Sequence, residues 1–239
     1  MSSSDPDPGA AAQGALRARP PAAPPSGPPL PPGLSRLGLG GVRDGLVLLP
    51  TGSAPGAPLP LLVMLHGAGG DAEGALALVR APAEALGVAL LVPDSRGPTW
   101  DVIRGGYGPD VAFLDAALDH LLARQAADPA RLAVGGFSDG ASYALSLALG
   151  NGALFTHALA FSPGFAAPAR QQGRPRLFLS HGTDDRVLPI GSCSRKLVPA
   201  LRRAGYEVIY REFEGGHRVP PPIAREALGS LATGRAEET

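Results

Sequence analysis

Leu132-Ala133-Val134-Gly135-Gly136-Phe137-Ser138-Asp139-Gly140-Ala141-Ser142-Tyr143-Ala144-Leu145-Ser146-Leu147-Ala148-Leu149 decides the fold. Its first three residues are an apolar strand-like run, and Ala141 to Leu149 read as a helix. A strand that turns at once into a helix brings the two backbones together. Small residues are needed on both sides of the turn, and Gly136 and Gly140 supply them, because a Cβ at either would collide with the neighbouring element. Ser138 then occupies the apex, its hydroxyl pushed out above the sheet. It also sits where unpaired helical N–H groups and the helix dipole favour developing negative charge. In a chain with 33 glycines the pentapeptide is not specific by itself. The rest of the sequence has to say what the serine is for.

Working outward, the same strand–polar-cluster pattern recurs. Gly45-Leu46-Val47-Leu48-Leu49-Pro50 is a short strand, and Leu61-Leu62-Val63-Met64-Leu65 is an unbroken apolar run suited to a strand covered on both faces. The latter empties into His66-Gly67-Ala68-Gly69-Gly70. A helix follows over about 72–86, kinked or split near Pro82, then the strand Val88 to Pro93. A polar loop from Asp94 to Gly108 carries Trp100, the only tryptophan. A helix over about 110–125 leads to the Ser138 strand. His157 to Phe161, Arg176 to Ser180 and Glu207 to Phe213 are further strands, with helices over about 191–204 and 222–232. Strands alternating with helices at these intervals imply an α/β fold with a mostly parallel, doubly wound sheet of about seven strands and helices on both faces. In such sheets ligands bind beyond the carboxyl ends of the strands, where each polar cluster falls.

Acyl transfer needs a nucleophile, a base, a group to orient the base and donors for the oxyanion. Ser138 is the candidate nucleophile. His217 is the candidate base, on the turn Glu214-Gly215-Gly216-His217 directly after the last strand. The orienting acid should follow a strand between them, and Asp184 and Asp185 both qualify. The order Ser, Asp, His is that of the α/β-hydrolases.

With these residues in view, the segment from about Leu61 to Pro220 resembles the α/β-hydrolase serine esterases, and among them the phospholipase/carboxylesterase-like group. Leu65-His66-Gly67-Ala68-Gly69, Gly136-Phe137-Ser138-Asp139-Gly140, His181-Gly182-Thr183-Asp184-Asp185 and Gly216-His217 carry the likeness. The resemblance implies Asp185 as the acid, and Ala68 and Asp139 as backbone N–H donors to the oxyanion. It also implies hydrolysis of a carboxylic ester, small or polymeric, without metal or organic cofactor. The group often has an amide side chain after the serine, where this chain has Asp139. The dozen or so residues from Ser162 to Arg174 are too few for a lid domain. Trp100, Tyr107, Phe165, Val187 and Leu188, on loops at the same sheet end, are candidates to line the site.

Composition bounds the rest. Basic and acidic residues balance at 21 each, which gives no electrostatic reason to expect nucleic acid as a partner. Cys193, the only cysteine, excludes an internal disulfide. No apolar stretch approaches the ~20 residues that span a bilayer, and no secretory signal is visible, so a cytoplasmic location is expected. Residues 1–33 hold ten of the 27 prolines and read as a disordered tail. The hydrolase domain is expected over 34–234, with 235–239 frayed. Two rival readings exist. Gly67-Ala68-Gly69-Gly70-Asp71-Ala72 fits a dinucleotide-binding G-x-G-x-x-A, with Asp94 placed as a ribose-binding acid. The other rival is a hydrolase-fold binding module without catalysis.

Overall fold

The structure, a computed structural model, describes residues 8–233 except 53 and 55. Eight strands form one sheet: β1 (Gly33–Arg36), β2 (Gly45–Leu49), β3 (Leu59–Leu65), β4 (Ala89–Pro93), β5 (Ala127–Phe137), β6 (His157–Phe161), β7 (Arg176–Gly182) and β8 (Val208–Phe213). Their order is β1-β2-β4-β3-β5-β6-β7-β8. Pairing is antiparallel for β1/β2 and β2/β4 and parallel from β4 through β8. The sequence reading counted about seven strands and missed β1. Gly-Leu-Ser-Arg has no apolar run because this edge strand buries no complete face.

Among the described residues there are six α-helices: α1 (Pro8–Ala12), which packs on α3, and α2 (Ala72–Leu86), α3 (Pro109–Leu122), α4 (Asp139–Gly150), α5 (Ser194–Arg203) and α6 (Pro221–Thr233), which flank the sheet. Strand residues alternate between two cores. Leu61, Val63 and Leu65 of β3 join the core beneath α3 and α4, while Leu62 and Met64 join the one beneath α2 and α6. All seven β3 residues are buried, which is why its sequence reads as a continuous apolar run and not as an alternation. α2 runs unbroken across Pro82. It starts at Asp71, whose carboxylate accepts from Gly74 N–H, and stops at Gly87, left-handed at φ 67°.

Residues 1–7 of the expected tail and the expected frayed end, 235–239, lie outside the described residues. The segment after α1 lies along α3 and α4. Leu16 is 2% exposed and belongs to the α3/α4 core. Its N–H donates to Asn151 Oδ1 at 2.9 Å, and Asn151 Nδ2 returns a bond to Gly14 O at 2.8 Å. The N–H groups of Arg17 and Ala18 both donate to Asp115 Oδ1, and Gly27 N–H donates to Ala123 O. Composition argued for disorder because so few residues here are worth burying. Leu16 and a set of backbone bonds to long-range side chains suffice.

Leu16→Ala is expected to destabilise the protein by about 2–3 kcal/mol, the cost of truncating a buried leucine. Denaturant unfolding measures it, and an unchanged midpoint would restore the disordered tail.

Candidate active site

The turn at Ser138 has the geometry its glycines require. A Cβ on Gly136 would meet the backbone of Gly140, and one on Gly140 would meet the carbonyl oxygens of Leu65 and His66. α4 therefore starts against both β5 and β3. Ser138 stands between strand and helix at φ 58°, a region that costs a non-glycine residue roughly 1–3 kcal/mol. Its N–H is held by Phe161 O at 2.9 Å.

Three predicted side chains meet above the strand ends. His217 Nε2 is 2.8 Å from Ser138 Oγ, and His217 Nδ1 is 2.6 Å from Asp185 Oδ2. A carboxylate only accepts, so Nδ1 carries the proton and Nε2 is left to accept from the serine hydroxyl. Asp185 Oδ1 takes the N–H groups of Val187 and Leu188, both at 2.9 Å. Burial raises the Asp185 carboxyl, but the bonds from His217, Leu188 and Val187 outweigh it and hold the group below its ordinary value. Asp184 is exposed and points no bond at His217; its backbone N–H donates to Gly215 O. Gly182 permits this approach, since a Cβ there would strike the carbonyls of Gly215 and Gly216 on the His217 turn.

His181 supports Asp185 from beneath. Its Nε2 is 2.7 Å from Leu188 O and 3.2 Å from Asp185 Oδ2, and its Nδ1 is 2.7 Å from Ser194 Oγ. The carbonyl fixes the proton on Nε2, so Nδ1 accepts from Ser194. Burial keeps this imidazole below its ordinary pKa.

Of the two backbone donors expected for an oxyanion, Asp139 follows Ser138 directly and Ala68 follows Gly67, which packs against Ser138. Asp139 is the first residue of α4, where N–H groups have no intrahelical acceptor. Gly67 packs so close that a Cβ on it would be 3.3 Å from Ser138 Cβ, which puts the Ala68 loop against Ser138. Gly69 N–H is committed to Pro98 O and Gly70 N–H to Gly67 O. The Asp139 carboxylate accepts from Thr99 Oγ at 2.7 Å, so its charge is engaged by the 94–108 loop.

The substrate-lining expectations divide. Trp100 is corrected: it is fully buried, packed between His66 and Tyr143, and its indole N–H donates to His66 O at 2.8 Å. A lone tryptophan in a polar loop looked available to a ligand, but its ring is what seats that loop. Tyr107 is turned toward the N-terminal segment, its ring against Gly14 and its hydroxyl donating to Ala167 O. Phe165 and Leu188 are half-buried and Val187 is 66% exposed. The loop of Phe165 is tied to α4 by Ser142, which accepts from Gly164 N–H, and by Ser146, which accepts from Ala167 N–H. Thr99, Ser142, Ser146, His181 and Ser194 were not singled out from sequence. Only His181 and the i, i+4, i+8 spacing of Ser138, Ser142 and Ser146 gave any signal.

The dinucleotide reading fails at the start of α2. Asp94 Oδ1 accepts from Ala72 N–H at 2.7 Å and Asp71 Oδ1 from Gly74 N–H. Two carboxylates stand where a pyrophosphate would need free amides.

Comparison with known proteins agrees with the fold. No protein-family model matches the chain. "Putative esterase NocK" of Nocardia uniformis subsp. tsuyamanensis is 35% identical over 109 residues, 40% of this chain and 32% of that protein. The match thus spans about a third of the relative's length. Among solved structures, esterase PE8 has a TM-score of 0.63 at 26% identity, covering 80% of this chain and 98% of its own. A carboxylesterase from Mesorhizobium loti has a TM-score of 0.59 at 22% identity, covering 78% and 94%. A phospholipase/carboxylesterase from Dyadobacter fermentans has a TM-score of 0.60 at 19% identity, covering 79% and 97%.

Buried neutral histidines give the molecule an acid-side weakness. Burial lowers His66, His181 and His157, the last to about 4. The unfolded chain takes up these protons near pH ~6.5 and the folded chain only below that, so stability falls as pH drops through this window. Burial lowers His120 as well, while Asp110, raised by burial to about 6, and Asp119, also raised by burial, act in the opposite sense, two groups against four. Denaturant midpoints between pH 7.5 and 4.5 are expected to fall, and less steeply in His157→Gln; identical slopes would remove His157 from the account. The strand order, the turn at Ser138 and these neighbours together give the chain the α/β-hydrolase fold, the fold of esterase PE8, the carboxylesterase and the phospholipase/carboxylesterase above.

Proposed function

We propose that the chain is a serine hydrolase that cleaves carboxylic esters through an acyl-enzyme on Ser138. The observation that carries this reading is the bonded run from Ser138 to His217 to Asp185, at 2.8 and 2.6 Å, on a strained strand-to-helix turn. His217 takes the hydroxyl proton as Ser138 attacks the ester carbonyl. Asp185 holds the imidazole in the Nδ1–H form and stabilises the imidazolium that results. The N–H groups of Ala68 and Asp139 stabilise the oxyanion. His217 then protonates the departing alcohol, and water attacks the acyl-enzyme by the same route, returning the proton to Ser138.

Phe165, Leu188 and Val187 form the substrate wall in this reading. Leu188 lies against Gly164: a Cβ added there would be 3.4 Å from a Leu188 methyl. The Phe165 loop and the acid loop thus close on each other beside Ser138, which favours short acyl groups over long ones.

The test is hydrolysis of p-nitrophenyl esters from acetate to palmitate, with Ser138→Ala in parallel. The wild type is expected to turn over the short esters best, and the variant to lose about 10⁴-fold or more in kcat. Asp185→Asn should lose on the order of 10⁴-fold through the wrong imidazole tautomer. Equal rates for wild type and Ser138→Ala, with no covalent labelling by a fluorophosphonate, would remove the reading.

A further inference from the structure

Arg43 has no place in the mechanism above, yet it reaches the rim of the site from an unrelated part of the chain. It lies in the connection between β1 and β2. Its Nε donates to Ser95 O at 2.6 Å and its Nη2 to Gly70 O at 2.8 Å. The same Nη2 is 3.3 Å from His66 Nε2 and 3.8 Å from Asp94 Oδ1. One guanidinium therefore spans the loops after β3 and after β4.

The state of His66 makes these contacts informative. Its Nδ1 is 2.7 Å from Gly67 O, which can only accept, so Nδ1 bears the proton. Nε2 is then an acceptor, and it receives Ser95 N–H at 3.0 Å and faces Arg43 Nη2. A second proton on this ring would set a donor against two donors. Burial, reinforced by the Arg43 charge, lowers the imidazole's pKa and agrees with the neutral ring.

We infer that Arg43 is a positioning residue for the oxyanion donor Ala68, acting through His66 and Gly70. The inference rests on the serine-hydrolase reading. His66 and Gly70 bracket the turn that carries Ala68. Arg43 fixes the first through its ring and the second through its carbonyl. The planar fork does this with one side chain, which a lysine cannot reproduce. Trp100 and Pro98 hold the loop at His66 O and Gly69 N–H, so the turn survives without Arg43. What is lost is its register against Ser138. A donor displaced by a fraction of an ångström still lets substrate bind but serves the transition state poorly.

The experiment uses Arg43→Met and Arg43→Lys in the full chain, assayed with p-nitrophenyl acetate. Rates are divided by the active-site concentration titrated with a fluorophosphonate. Arg43→Met is expected to lose about ten- to a hundredfold in kcat with KM changed less than about threefold. Affinity for a trifluoromethyl ketone, whose adduct carries an oxyanion, should weaken by the same factor. Arg43→Lys should fall between, because it keeps the charge beside Asp94 but not the fork. The inference is overturned if kcat per titrated site is unchanged in both variants. It is equally overturned if kcat falls while ketone affinity stays at the wild-type value. A wild type that neither turns over nor takes the fluorophosphonate would instead sink the hydrolase reading beneath it.

Discussion

The closeness of α4 to β3 and β5 is the constraint on which the carboxyl end of the sheet depends. Without side chains at Gly136 and Gly140 the helix begins within contact of the Leu65 and His66 carbonyls. That approach lifts Ser138 into its left-handed conformation, aims the first amides of α4 outward and brings Gly67 against Ser138 Cβ. Ser138 and the Ala68 loop are therefore set by one packing event and not by two separate ones. The strain at Ser138 is local, and the buried α4, with every residue from Gly140 to Gly150 inside, is ample to hold it.

Around that contact, three histidines are set by what they face. His66 and His217 carry their protons on Nδ1, opposite a carbonyl and a carboxylate, and His181 carries its own on Nε2, opposite Leu188 O. Each ring's other nitrogen is thereby left as an acceptor, for Ser95 N–H, Ser138 Oγ–H and Ser194 Oγ–H. Short-range polar bonding in a water-poor setting assigns all three tautomers. His217 differs in exposure: its side chain is 14% accessible where that of His181 is fully enclosed. Of the three rings, it is the most accessible.

Much of this was legible in the sequence because it is written locally. Unbroken apolar runs mark doubly covered strands, and glycines on either side of Ser138 mark a turn that must be tight. His217 announces itself by following the last strand. What was not legible is written across the chain. Nothing near Arg43 says that it meets His66, Gly70 and Ser95, since its loop has no period and the contacts span 23 to 52 positions. Trp100 misled because local polarity says little about a ring that fits between His66 and Tyr143. β1 was missed because an edge strand needs hydrogen bonds more than apolar side chains.

The docking of the N-terminal segment also bears on how the molecule is assembled. Leu16 is bonded to a residue 135 positions later, and Arg17 and Ala18 to one almost 100 later. Contacts of such separation carry the full cost of closing a long loop, so they form after the sheet and its helices exist. On a ribosome the order of synthesis and the order of docking are thus reversed. Leu16, Arg17 and Ala18 are made before α3 and α4, and they seal the α3/α4 core only once both helices exist.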